Sequence, residues 1–358
     1  MPRLKTLAQN ESKEQRFRSG HSMCRGCGIP MVVRTVLNSI STPVVVVNAT
    51  GCLEVSTSRF PTTAWNVPWL HVAFENAAAV VSGVETAWRV LRRRGVVADE
   101  EVTFVCFGGD GGTYDIGLQA LSGALERGHR FLYVCYDNQA YMNTGVQRSS
   151  ATPVGASTST SPCADEVFGK TQLRKDLTTI AVAHHIPYVA QGAISHWQDL
   201  SEKVARAVAA PGPALLNVLT TCPLGWRHPP EETVDVSRLA VETRYWPLYE
   251  VCDGHYRLTF EPSDPLPVAE WLRRQGRFDH LFKASREEVV DQIQDQVDRQ
   301  WETLMKRCAG DAKWFDDRPY IPSFYERSPV IDPQLSYTQG SPPEAMATSS
   351  MPADATPT

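Results

Sequence analysis

Apolar residues run through this chain in two rhythms. Short, nearly unbroken runs, PVVVVN from Pro43 to Asn48, FVCF from Phe104, FLYVCY from Phe131 to Tyr136 and ALLNVL from Ala214 to Leu219, read as strands buried on both faces, the habit of parallel sheets. Between them the spacing turns helical. Pro30 can start a helix through Val32, Val33, Val36 and Leu37. A small-residue helix from about Glu75 to Arg94, with Asn76-Ala77-Ala78-Ala79 and Gly83, predicts tight packing on a sheet or another subunit. Ile116, Leu118, Leu121 and Leu125 share one broad face of the segment after Gly112, and further helices are predicted near Leu173 to His184 and Trp197 to Ala209. With a short extended piece at Ile186 to Val189, this alternation predicts an α/β fold around a central, mostly parallel sheet flanked by helices.

After Trp226 the pattern loosens. A polar, proline-bearing segment leads to a two-strand candidate at Trp246 to Phe260, then to amphipathic helices at Pro267 to Gln275 and Arg286 to Cys308. Beyond Gln339 the chain lacks core-formers and is expected to be disordered. The predicted organisation is a polar arm (1–19), a main domain (20–226), an extension packing on that domain or on a partner subunit (227–338) and a tail (339–358). No internal repeat is evident.

The stretch from Phe104 to Gln147 organises the rest. Its two strands flank a helix, so they are expected to be parallel neighbours delivering Asp110 and Asn138, 28 positions apart, to one sheet edge. Glycines around Asp110 let backbone approach a phosphate, and one carboxylate with one amide oxygen suits Mg²⁺, which shares its oxygen ligands with substrate phosphates. The predicted ligand is a diphosphate with its metal. A Gly-Asp-Gly followed at this distance by Asn after a second strand is the signature of thiamine-diphosphate enzymes, which this chain resembles.

Charge and length add exclusions. A net charge of -5 and a pI near 6.0 over 358 residues give no electrostatic case for nucleic acid. No apolar run approaches the roughly 18 residues of a membrane span, and Met1 to Gly20 lacks an apolar export core, so a cytoplasmic protein is expected. The nine cysteines are then expected to be thiols or ligands rather than disulfides. Cys24, Cys27, Cys52 and Cys222 stand at turns or strand ends; Cys106 and Cys135 lie inside apolar strands, and Cys163, Cys252 and Cys308 have no ligand-like setting. By ligand count four thiolates suit zinc or a [4Fe-4S] cluster equally, and a CxxC alone also suits a redox disulfide. A decoy, ADEVFGKT at 164 to 171, has Ala where a phosphate-binding loop requires its first Gly. Ser149 to Pro162 reads as a long loop beside the site.

The separated segments GHSMCRGCGIP (20–30), TGCLEV (50–55), WNVPWLHVAFENAAAVVSGVETA (65–87), GGDGGTYDIG (108–117), DNQAYMNTGVQRSSATP (137–153), TCPLGW (221–226) and WPLYEVCDGHYRLTF (246–260) resemble the β subunits of the 2-oxoacid:ferredoxin oxidoreductases, most closely those acting on pyruvate. The resemblance implies that Cys24, Cys27, Cys52 and Cys222 hold one [4Fe-4S] cluster, and that Asp110 and Asn138 bind Mg²⁺ with the Ala140 carbonyl. It implies that Gly109, Gly111 and Gly112 line the diphosphate of thiamine diphosphate and that Asn143 faces the thiazolium and substrate. The implied activity is coenzyme A-dependent oxidative decarboxylation of pyruvate to acetyl-CoA and CO₂, or the reverse, with electrons exchanged with ferredoxin. The aminopyrimidine-activating glutamate of this family lies on the α chain, and neither Glu54 nor Glu75 matches it. The chain is therefore expected to carry half an active site and to need an α subunit, with γ and δ or ferredoxin-like subunits, since it has no two-cluster ferredoxin motif of its own. Two other functions stay open: half of a non-oxidative thiamine-diphosphate enzyme, and a zinc-stabilised module without catalysis.

Overall fold

The computed structural model describes residues 15–283 and 286–316; the predicted tail, and the arm up to residue 14, lie outside the described residues. Eight strands form one sheet: β1 (Val44–Ala49), β2 (Trp69–Val72), β3 (Thr103–Gly109), β4 (Leu132–Asp137), β5 (Tyr188–Ala193), β6 (Ala214–Leu219), β7 (Leu248–Cys252) and β8 (His255–Phe260). Their order is β8-β7-β5-β6-β4-β3-β1-β2. From β5 to β2 all neighbours are parallel, whereas β7 is antiparallel to β5 and β8 to β7. A two-residue ribbon, Cys163–Ala164 with Val167–Phe168, stands apart.

The continuous apolar runs form the centre because both faces of the sheet are covered. Side chains alternate from face to face along a strand. Val46, Val105, Val134 and Leu216 therefore meet α1 (Ile29–Asn38) and the helix Trp197–Ala209 on one side. Val47, Cys106, Tyr133 and Leu215 meet the helices Ala77–Arg93, Leu118–Glu126 and Leu177–Val182 on the other. A third core gathers Trp226, Trp246, Trp271 and Phe278 within the C-terminal region. That region does more than pack on the domain, since β7 and β8 extend the same sheet.

Three local expectations change. Residues Gly111–Ile116 form a π turn, whose wider repeat moves Ile116 off the apolar face predicted from a 3.6 period and leaves it 57% exposed. Gly83 faces outward, where a side chain would meet nothing within 4 Å, and the packed face of this helix is made by Ala77, Ala78, Val81 and Ser82. Two short helices, α2 (Cys52–Thr57) and Pro223–Trp226, follow β1 and β6 directly; neither is long enough to show a period in the sequence.

The carboxyl ends matter most. In the sheet β6, β4, β3 and β1 are consecutive neighbours, and they end at Cys222, Asn138, Asp110 and Cys52 respectively, or within three residues of them.

Candidate active site

The two central strands bring Asp110 and Asn138 together. The end of the Asn138 side-chain amide lies 2.8 Å from Asp110 Oδ1 and 2.9 Å from the Ala140 carbonyl oxygen. With its NH₂ turned toward them the amide donates to both; with its oxygen there, three oxygens converge on one point, an arrangement that a cation would hold. Asp110 is 1% exposed, and Ser149 Oγ donates to its Oδ2 at 2.5 Å. Burial, with a smaller contribution from Asp137, pushes the Asp110 carboxyl well above the usual carboxylate range. No Lys or Arg forms an ion pair with Asp110 among the described residues.

The loop after β4 is braced on every side. Gln139 takes a left-handed conformation (φ 68°), and its N–H donates to Asp137 Oδ1 at 3.0 Å. Thr152 Oγ1 donates to the Gln139 carbonyl at 2.7 Å, and Trp226 Nε1 to the Asn138 carbonyl at 2.7 Å. Behind it Asp137 accepts from Tyr114 Oη (2.6 Å) and pairs with Arg174 (3.3 Å). The backbone that would present Ala140 is thus set by side chains far apart in sequence.

Beside these groups lies a small cleft that opens to solvent, lined by Gly109, Asp110, Gly111, Gly112, Asn138 and Asn143 among others. Asn143 stands exposed on the wall of this cleft. The glycines also serve packing: a side chain at Gly111 would collide with the Tyr141 ring, and one at Gly109 would press on Tyr136 at 3.1 Å. Tyr141 Oη donates to the Gly111 carbonyl at 3.0 Å.

The four candidate thiols gather at one side of this cleft, where Cys52 is among the lining residues. In the first turn Cys27 N–H donates to the Cys24 carbonyl at 3.0 Å, and Gly28 N–H to the Thr221 carbonyl at 3.4 Å, which seats the turn beside Cys222. Gly26 is left-handed (φ 71°), and a side chain there would strike Pro230. Cys222 Sγ accepts from Gly225 N–H at 3.3 Å. Burial is the main cause that pushes the Cys27 and Cys52 thiols up to about 12; Cys222 and Cys24 add to it at Cys27, and Cys222, Cys27, Cys24 and Asp110 at Cys52. Four thiols from three stretches thus lie within electrostatic reach of one another. Among the described residues no group of three or more His, Cys, Asp or Glu stands close enough together to hold a metal ion.

Comparison with known proteins places this geometry. Residues 49–218, from β1 to β6, match the thiamine pyrophosphate enzyme C-terminal TPP-binding domain. Pyruvate synthase subunit PorB of Thermotoga maritima is 49% identical over 84% of this chain and 95% of its own length; that of Methanocaldococcus jannaschii is 48% identical over 82% and 97%. The chain belongs to the PorB family of pyruvate synthase subunits. The ketoisovalerate oxidoreductase subunit VorB of Pyrococcus abyssi is also similar, at 40% identity over 82% of this chain and 93% of that protein.

As a PorB-family chain it carries the thiamine-diphosphate domain of a 2-oxoacid:ferredoxin oxidoreductase subunit. No helix among the described residues is long and apolar enough to cross a membrane. Cys106 and Cys135 are fully buried within β3 and β4, as their apolar surroundings predict. Neither Glu54 nor Glu75 lines the cleft; Glu54 is engaged 2.8 Å from His71 Nδ1. Lys170 of the decoy loop donates to the Thr152 carbonyl at 2.5 Å and has a structural task.

Sequence reasoning missed four neighbours of this PorB site. Ser149 sat in a stretch legible only as loop, and Tyr136 read as one more strand residue; its hydroxyl is buried without a hydrogen-bond partner between Gly51 and Gly109. Trp226 and Arg277 come from regions far along the chain, and nothing in their local sequence signals the contact.

Proposed function

We propose that this chain is the β subunit of a pyruvate:ferredoxin oxidoreductase, binding thiamine diphosphate through Mg²⁺ and one [4Fe-4S] cluster beside it. The observation that carries the proposal is the arrangement at the sheet edge. The Asp110 carboxylate, the Asn138 side-chain amide and the Ala140 carbonyl meet at the ends of β3 and β4, and Cys222 and Cys52 follow the strands on either side. The PorB relatives named above supply the substrate.

The donor sets fit these groups. Asp110, Asn138 and the Ala140 carbonyl would hold Mg²⁺, whose preference for oxygen ligands and shared phosphates they match. Gly109, Gly111 and Gly112 would face the diphosphate, and Asn143 the thiazolium and substrate. Cys24, Cys27, Cys52 and Cys222 would hold the cluster. By ligand count four thiolates suit zinc or a [4Fe-4S] cluster alike; the oxidoreductase family of this chain favours the cluster, which can take up electrons as zinc cannot. When bound, thiamine diphosphate supplies the carbanion stabilisation that lets a 2-oxoacid lose CO₂, and an iron-sulfur centre gives the electrons somewhere to go.

The chain's own contribution is position and electrostatics. Ser149 orients Asp110; Gln139, Trp226 and Thr152 hold the loop that presents Asn138 and Ala140. Exposed apolar side chains lie within four residues of the thiols, Met31 after Cys27, Val55 after Cys52 and Leu224 after Cys222. They suit an α subunit closing over the cleft and bringing the missing glutamate. Coenzyme A takes the acyl group and ferredoxin the electrons, and the assembly works in the cytoplasm.

The test is the content of iron, acid-labile sulfide, zinc and thiamine diphosphate in the complex purified without oxygen. About four irons and four sulfides for each copy of this chain are expected beyond those of any ferredoxin-like subunit, with one thiamine diphosphate. Zinc in place of iron with thiamine present would indicate non-oxidative chemistry, and zinc without thiamine a non-catalytic module. The VorB similarity favours one second reading, a branched 2-oxoacid substrate. A kcat/KM for pyruvate above that for 2-oxoisovalerate separates the two.

A further inference from the structure

Arg277 is a charge with no evident structural need. It is 2% exposed, in the 3-10 segment Gly276–Phe282 of the C-terminal region. Its Nη2 donates to Gln139 Oε1 at 2.6 Å and to Gln275 Oε1 at 2.7 Å, and its Nε donates to Gln275 Oε1 at 3.0 Å. Both partners are neutral amides. Arg277 forms no ion pair among the described residues; its guanidinium lies 4.1 Å from the Trp226 ring centre instead. Burying a cation without an anion costs several kcal/mol, and natural chains seldom keep such a group idle.

Its surroundings show which way its field points. Trp226 N–H donates to the Cys222 carbonyl at 2.8 Å, and Trp226 Nε1 to the Asn138 carbonyl at 2.7 Å, so the ring under Arg277 joins the thiol side of the site to the oxygen side. Gln139, which Arg277 grips, lies between Asn138 and Ala140 in the chain. Burial lowers the pKa of Arg277 to about 9, while Tyr245, Cys222, Asp137 and Asp110 act to raise it; the group remains charged at neutral pH. The acids that feel Arg277 thus include one thiol and one carboxylate of the site.

We propose that Arg277 is the built-in counter-cation of this centre, a positioning residue that braces the Asn138–Ala140 loop through Gln139 and raises the reduction potential of the cluster held by Cys222 and its partners. The proposal rests on the cluster assignment made above. Reduction adds one negative charge to the centre, and a fixed buried cation stabilises that form more than the oxidised one; net charge is among the levers that set such potentials. A unit charge acting across roughly 10 Å at an effective dielectric of about 20 changes an equilibrium by about an order of magnitude.

The experiment is an EPR-monitored redox titration of the oxygen-free complex, with iron and thiamine diphosphate measured on each sample. Arg277→Gln should lower the midpoint by about 60 mV, the equivalent of tenfold in a one-electron equilibrium, with iron retained. Arg277→Lys should recover most of the difference. Gln275→Glu leaves Arg277 in place but pairs its charge, and should move the potential in the same direction as Arg277→Gln; it decides the matter if Arg277→Gln folds poorly. An unchanged potential in iron-replete Arg277→Gln or Gln275→Glu would overturn the proposal, as would Arg277→Lys falling as far as Arg277→Gln. A wild-type complex without iron on this chain would overturn the cluster assignment itself, and that result is read before any variant is made.

Discussion

Two buried carboxylates on one sheet are treated in opposite ways. Glu250, on β7, is 0% exposed and has its counter-charges built in: Arg206 at 2.9 Å, Arg257 through its Nε at 2.7 Å, and the Tyr188 hydroxyl at 2.6 Å. Burial would push this carboxyl up, but Arg206, Tyr188 and Arg257 together hold it below the usual range. Asp110, at the end of β3, is equally buried and accepts from Ser149, with no Lys or Arg paired to it among the described residues. The chain can pair a buried charge when the charge serves the fold, and among the described residues it supplies no such cation at Asp110, the setting that the proposed Mg²⁺ would suit.

The contrast is broken most severely at its centre. Asp110→Ala should strip thiamine diphosphate from the purified complex and cut turnover by about a thousandfold or more, while iron remains. Cys222→Ala should do the converse, losing iron and keeping thiamine diphosphate. Cofactor analysis checks both; loss of both groups from a folded protein in either variant would merge the two sites into one.

Glu250→Gln probes the other side of the comparison. Arg206 and Arg257 are 33% and 38% exposed and regain water when the carboxylate goes, so the cost should be about 2 kcal/mol rather than the larger loss of a fully buried pair. Thermal unfolding should show this with cofactor content unchanged. Because the folded carboxyl titrates below its unfolded value, its contribution is complete at neutral pH and begins to be lost below about pH 4.5. The wild-type and Glu250→Gln curves should therefore converge in acid; a gap that did not narrow as the pH fell below about 4.5 would refute an electrostatic origin.

Ser149→Ala is the mildest change. It removes the one hydroxyl that orients Asp110 and leaves the charge, so the apparent affinity for Mg²⁺ should fall by about tenfold. Activity titrated against Mg²⁺ measures this, and saturating metal should restore most of the rate.

Much of the fold was legible because parallel strands buried on both faces leave continuous apolar runs between helical spacings, and the strand Ala214 to Leu219 and the helix Trp197 to Ala209 needed no adjustment. The Asp110–Asn138 pair was legible for a related reason: a strand-helix-strand unit places both strand ends at one edge, so proximity followed from topology alone. Elements shorter than two helical turns were not, since α2 and Pro223–Trp226 hold too few residues to show a period.

By itself the sequence determined the α/β class, the residues at the sheet's carboxyl edge and the family resemblance, because these depend on local spacing and on residue types that short segments carry. Only the tertiary structure decided that Cys222 and Cys52 follow the strands flanking those of Asp110 and Asn138, that the extension continues the sheet, and that Trp226 and Arg277 support the loop of Asn138. Those relations depend on strand order and on the burial of distant side chains against one another, and burial is a property of the whole packed core that no segment encodes alone.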